Sequence, residues 1–346
     1  MTNKIVTLAG DGIGPEIMAA GLEVLKAVAE KIGFDYEIDA QPFGGAGIDA
    51  TGHPLPGETL EAAKAADAIL LAAIGSPKYD TCPIRPEQGL LSLRKELGLY
   101  ANIRPVKIFD AIKHLSPLKT DRLEDIDFVV VRELTGGIYF GEHILETDRA
   151  RDHNDYTSEE IRRIMVEAFE LAKTRRKKVT SIDKQNVLAT SKLWRKVAEE
   201  VAKDYPDVIL ENQLVDSAAM LMITNPAQFD VIVTENLFGD ILSDEASVLP
   251  GTLGVMPSAS HSATAPSLYE PIHGSAPDIA GKGIANPISM ILSVAMMLRE
   301  SFDEKTGAEM IERAIEKTLA QGILTKDMGG ATTTDEMTAV IIGNLE

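Results

Sequence analysis

One cysteine, Cys82, stands in a sequence of 346 residues, so no intramolecular disulfide can form and the chain suits a reducing compartment. A free cysteine is usually a small buried hydrophobe, and Cys82 is assigned no chemistry. Positive charge is in deficit: 34 lysines and arginines face 53 carboxylates, a formal balance of −19. That argues against nucleic acid and anionic membrane as partners, since both select basic surfaces. A small anionic substrate is not excluded, because arginines at contact distance outweigh a diffuse field that salt screens over about 8–10 Å. Long apolar runs are missing as well. The longest, residues 288–298, falls short of the roughly 18 residues of a membrane span and reads as a buried helix. The first apolar run, Ile5 to Ala9, meets Gly10-Asp11 before it could form a secretory signal core, so a cytoplasmic location is expected. There is no internal repeat, no low-complexity linker, and no G-x-x-x-x-G-K-[ST] string of the kind that phosphoryl-transfer enzymes use.

What is present is a 45% hydrophobic chain long enough for two domains. Short β-rich runs alternate with amphipathic helical patterns, the signature of an α/β fold with a mostly parallel central sheet flanked by helices. Strands are expected at 4–9, 67–73, 128–132, 179–183, 208–211 and 231–234. A helix follows Gly14-Pro15, with Ile17, Val24, Leu25 and Val28 at helical spacing and the proline where a first turn tolerates one. Another begins at Thr157, which forms a capping box with Glu160, and three more are expected near 287–301, 306–321 and 335–344. With no linker between them, two domains would share a sheet or exchange chain segments.

Gly10-Asp11-Gly12-Ile13-Gly14 follows a strand and opens a helix, but it is not the G-x-G-x-x-G dinucleotide fingerprint, because Pro15 occupies the third glycine position. It reads as a tight strand-to-helix turn that borders a ligand.

Asp240 and Asp244 are four residues apart in a helical run and share a face. Two like charges so placed suggest a counter-cation, Mg²⁺ or Mn²⁺ for all-carboxylate ligation, although first-turn carboxylates that complement a helix dipole have the same spacing. Asp216 heads a further helical run. Arg94, Arg104 and Arg132 each adjoin apolar sequence; converging, their guanidinium forks would form a site for a di- or tricarboxylate, whereas singly they are ordinary surface residues. Tyr139 and Lys184 are the acid–base candidates, both requiring a pKa lowered toward neutrality, which adjacent positive charge would supply for the tyrosine. The stretch from His273 through Gly274, Ser275, Ala276, Pro277, Asp278 and Ile279 to Asn286 is dense in small residues, as close approach of backbone to a flat or phosphate-bearing ligand requires. Asp278 there could accept hydrogen bonds from a ribose diol.

With these motifs the chain resembles the β-decarboxylating dehydrogenases of the isocitrate/isopropylmalate dehydrogenase family, over essentially its whole length and at every catalytic position. The resemblance implies a two-domain fold, 1–99 with 252–346 on the cofactor side and 100–251 carrying dimerisation, metal and substrate, with NAD bound outside the Rossmann mode by the 273–286 loop. It implies oxidative decarboxylation of a branched 2-hydroxy dicarboxylate, 3-isopropylmalate, with homoisocitrate, tartrate or isocitrate as alternatives. Arg94, Arg104 and Arg132 then hold the carboxylates, Asp240 and Asp244 the metal with Asp216 from a second subunit, and Lys184, also from that subunit, helps deprotonate the 2-hydroxyl. Tyr139 protonates the carbon that loses CO₂. The implied assembly is a homodimer with shared active sites. The segment containing Glu87, Leu90 and Leu91 is implied to set substrate choice, joined by Val187 of the second subunit, with the leucines offering apolar surface to an isopropyl group. An apolar lining rejects an extra carboxylate more strongly than a missing methylene. Asp278 would repel a 2′-phosphate, so NAD is expected over NADP.

Overall fold

A computed structural model describes residues 2–346. The chain begins β1 (Asn3–Gly10), α1 (Gly14–Ile32), β2 (Tyr36–Ala40), α2 (Gly45–Thr51), α3 (Gly57–Lys64), β3 (Ala68–Ala73) and α4 (Pro86–Glu96). It continues through β4 (Ala101–Lys107), β5 (Asp127–Glu133), the β6–β7 hairpin (His143–Leu145, Ala150–Asp152), α5 (Ser158–Lys173), β8 (Lys178–Asp183), α6 (Ala189–Val201), β9 (Ile209–Leu214), α7 (Val215–Thr224), β10 (Val231–Thr234) and α8 (Asn236–Ser247). It ends with β11 (Pro257–His261), β12 (Ser267–Pro271), α9 (Ile288–Ser301), α10 (Lys305–Ala320) and α11 (Thr334–Gly343).

These elements form two compact units assembled from interleaved segments. The first takes residues up to Leu99, then Phe109–Leu115 and Thr252–Glu346; its strands run in the order β2-β1-β3-β12-β11, parallel except for β11. The second takes Tyr100–Ile108 and Ser116–Gly251, with strands in the order β4-β5-β10-β8-β9, parallel except for β4. The α/β, mostly parallel class expected from the sequence is the one observed.

Local chemistry explains the elements that position the site. Helix α1 has Pro15 in its first turn and stops at Gly33 in the left-handed conformation, with the Gly33 N–H bonded to the Ala29 carbonyl. Thr157 caps α5 reciprocally with Glu160. Helix α9 is buried from Ile288 to Leu298, which is why its sequence is apolar all round. In the first unit Val6, Leu8, Ile69 and Leu71 of the sheet meet Phe43, Leu93 and Leu97. In the second, Trp194, Phe128, Phe169 and Phe229 are fully buried, and the Trp194 indole N–H donates to Ser181 Oγ at 3.1 Å. No helix of the described residues is long and apolar enough to cross a membrane. The segment 258–267 supplies most of β11 and the connection to the start of β12, with which β11 pairs antiparallel.

Candidate active site

Arg132 lies near the end of β5, buried at 6% exposure, where an unpaired guanidinium would carry a heavy desolvation penalty. Helix α8 supplies its partners: Asn236 Oδ1 accepts from Nη2 at 2.8 Å and Nε at 3.2 Å, and Asp240 forms the ion pair. One turn further on, Asp244 receives Arg104 Nη1 at 3.2 Å, and the same guanidinium donates to Ser243 Oγ at 2.9 Å. Arg104 projects from β4, which pairs antiparallel with β5 and so delivers both arginines to one helix face. The like-charged aspartates of α8 are therefore each met by a guanidinium of their own chain. Among the described residues no three acidic, histidine or cysteine side chains gather closely enough to hold a cation. Two carboxylates nevertheless suit Mg²⁺, which commonly takes one or two from a protein and completes its shell with water and substrate oxygens.

Tyr139 rides on a short 3₁₀ turn, Gly137–Tyr139, and its hydroxyl donates to Asp240 Oδ2 at 2.8 Å. Here the structure corrects the sequence expectation. Burial and then the Asp240 carboxylate push the phenol above its ordinary value, and the neighbouring Arg132 only partly opposes them. Tyr139 therefore keeps its proton, and the lowered value expected of it is not found. Lys184, just past β8, pairs through Nζ with Asp216 Oδ1 at 2.5 Å, and this ammonium holds the Asp216 carboxyl below the usual carboxylate range. Val187, three residues beyond Lys184, is exposed.

Helix α4 of the first unit presents Glu87, Leu90, Leu91 and Arg94. Arg94 is paired with Glu270 at 3.0 Å, with its Nε buried and unpartnered. Leu90 leans on the apolar core, whereas Leu91 is exposed. Glu87 Oε1 comes close to Gly75, whose φ of +115° excludes most side chains.

The first unit also holds a cavity of about 660 Å³, within the range of small-molecule sites. Ile13, Gly254, His273, Asp278, Asn286 and Asp327 line it, with Gly274, Ala276 and Ile279. The His273 Nδ1 bonds to the Gly274 carbonyl at 3.0 Å, which leaves Nε2 buried without a partner, and burial holds the imidazole below its ordinary value. Such an orphaned polar atom fits a site completed by a ligand. Ser275 does not line the cavity: its carbonyl accepts from the Ile13 N–H at 2.8 Å, and Pro277 is exposed. The glycine-rich turn thus braces the loop. A Cβ at Gly12, whose φ is +58°, would collide with Ser275. The sequence reading missed Thr252, Gly254, Lys326 and Asp327 on the cavity wall, although the glycines around them, Gly251 and Gly254 and then Gly329-Gly330, carry the same small-residue signal as 273–286.

Parallel-sheet units bearing a nucleotide-sized cavity and a clamp of arginines, aspartates and a tyrosine place the chain among α/β enzymes of small anionic metabolites. The model of the isocitrate/isopropylmalate dehydrogenase family matches residues 4–341, and the chain belongs to that family. It is 79% identical over 345 residues, covering 100% of each chain, to the 3-isopropylmalate dehydrogenase of Streptococcus thermophilus strain CNRZ 1066, and 69% identical, again covering 100% of each, to that of Lactococcus lactis. Among solved structures, isocitrate dehydrogenase from Methylococcus capsulatus superposes with a TM-score of 0.89 at 37% identity, covering 99% of each chain. A β-decarboxylating dehydrogenase from Thermococcus kodakarensis follows at 0.85 and 38%, covering 99% and 96%.

Proposed function

We propose that the protein oxidises and decarboxylates (2R,3S)-3-isopropylmalate to 4-methyl-2-oxopentanoate and CO₂ in leucine biosynthesis, using NAD and Mg²⁺ or Mn²⁺, as a cytoplasmic homodimer with shared active sites. The observation that carries the reading is the 79% identity, over the full length of both chains, to a 3-isopropylmalate dehydrogenase.

Arg94, Arg104 and Arg132 grip the substrate carboxylates through charge-assisted bonds. Lys184 of one chain, as the neutral amine released from its ion pair with Asp216, helps deprotonate the 2-hydroxyl and becomes the ammonium, and Tyr139 of the other, held protonated, delivers a proton to the carbon that has lost CO₂. Asp240 and Asp244, with Asp216 of the second copy, would hold the cation. When bound, the dinucleotide supplies a hydride acceptor and the cation a Lewis acid for the substrate oxygen. The 273–286 loop, with Asp278 toward the ribose, holds the adenosine part, and that carboxylate disfavours a 2′-phosphate. Leu90 and Leu91 face the alkyl branch, where a third carboxylate would find no partner.

Absorbance of NADH tests the reading, with 3-isopropylmalate, isocitrate and tartrate offered in parallel and NADP and EDTA as controls. Turnover restricted to 3-isopropylmalate, NAD and added metal is expected. Isocitrate turnover or NADP preference would overturn the specificity, and silence on all three substrates would overturn the activity.

A further inference from the structure

Tyr156 follows the β6–β7 hairpin and is buried in the second unit. Burial and the carboxylates of Glu133 and Glu235 push its phenol far above the ordinary value, so it remains a neutral hydroxyl with one donor and a free acceptor side. The acceptor side takes the Asn236 backbone N–H at 3.0 Å, one of the N–H groups that the start of α8 leaves without a helical partner. The proton faces Glu133 Oε2 at 3.4 Å and Glu235 Oε2 at 3.5 Å. Glu235 itself caps α8 by accepting from the Phe238 N–H at 2.9 Å, and Glu133 accepts from the Gly136 N–H at 2.8 Å.

Asn236, fixed in this way, spends both ends of its amide on the active site. Its Oδ1 receives Arg132, and its Nδ2 donates to the Gly136 carbonyl at 3.2 Å. The Tyr156 ring lies directly against Gly136 and Gly137, so that a Cβ at either glycine would collide with it. Those glycines open the turn that ends in Tyr139.

We propose that Tyr156 is a positioning residue that aims two active-site groups at once: its hydroxyl orients the Arg132 guanidinium through Asn236, and its ring seats the turn that presents Tyr139. The assignment rests on the reading of Arg132 as a carboxylate clamp and Tyr139 as a proton donor. The two halves of the side chain have separable duties, and that gives the test its resolution.

Steady-state kinetics on the full chain with NAD and Mg²⁺ would compare Tyr156→Phe and Tyr156→Leu with Arg132→Lys and Tyr139→Phe. Tyr156→Phe keeps the ring; it should raise KM for 3-isopropylmalate by about five- to tenfold, the effect of one net hydrogen bond, while KM for NAD and kcat stay near wild type. Tyr156→Leu should in addition lower kcat by about tenfold, through the misplaced turn under Tyr139. If Tyr156→Phe leaves both KM values unchanged, or raises both alike, the positioning role is overturned. Should Tyr156→Leu fail to fold, the phenylalanine variant decides alone. If Arg132→Lys and Tyr139→Phe also turn over normally, the reading of the site has failed and this assignment falls with it; if they are impaired and Tyr156→Phe is not, only the assignment falls.

Discussion

His273 shows how one residue links the cavity of the first unit to pH. Its Nδ1–H donates to the Gly274 carbonyl, so in the neutral imidazole Nε2 is a bare acceptor that faces a buried wall with no protein donor. Protonation would place a charge where burial disfavours it, and the imidazole is held below its ordinary 6.5. A histidine with a depressed pKa binds fewer protons folded than unfolded, so its contribution is intact above 6.5 and is lost as pH falls from there toward the folded value. The loss is about 1.4 kcal/mol per unit of depression. Melting temperatures of wild type and His273→Gln between pH 7.5 and 5 would test it, since glutamine cannot titrate. The gap between the two should shift in favour of the variant on acidification, and a gap that does not change with pH would refute the argument. The sequence could mark His273 as part of a small-residue loop, but not its orphaned nitrogen, because the Gly274 bond depends on the folded loop.

At the scale of elements, α8 carries the clearest conflict between local propensity and function. Gly239 sits inside this helix, where alanine ordinarily stabilises by about 1 kcal/mol. A Cβ there would stand 2.5 Å from Arg132 Cγ and 2.9 Å from its Cβ, and Arg132 is buried and cannot swing away. Gly239→Ala should therefore give no gain in melting temperature and should raise KM for 3-isopropylmalate by about tenfold, with KM for NAD unchanged. A more stable variant with normal KM would show that the close approach has no consequence. The legibility of the elements follows similar lines. Strands buried on both faces, such as β3 and β10, were apolar runs and readable as such; α1 and α5 announced themselves by period and first-turn residues, and the three C-terminal helices by their helical pattern alone. Strand β4 was not legible, because Asn102, Arg104 and Pro105 break its apolar pattern and its stability comes from pairing with β5. β11 and β12 were hidden by serines for the same kind of reason. The aspartate pair on α8 was legible from spacing, but the arginines that meet it come from strands far away in sequence, and Tyr139's raised pKa depends on that assembly.

At the scale of the molecule, the chain divides its chemistry into separate pairs. Tyr139 and Arg132 meet Asp240, while Lys184 is engaged with Asp216, and among the described residues no third potential ligand joins Asp240 and Asp244. The second unit also exposes large apolar side chains, Leu145 at 87%, Ile209 at 67% and Met220 and Val187 at 64% each, an excess that burial against another copy would remove. Both facts support a homodimer in which each site draws Tyr139 from one chain and Lys184 from the other, and mixing two inactive variants tests that arrangement directly. In a hybrid of a Lys184→Ala chain with a Tyr139→Phe chain, shared sites leave one site with both lesions and one with neither. Hybrids isolated by two different affinity tags should then recover about half of the wild-type kcat per dimer, although each parent homodimer is nearly silent. If both groups act within one chain, every site in the hybrid keeps a single lesion and nothing is recovered, so the isolated hybrid separates the two arrangements without reference to any other assignment.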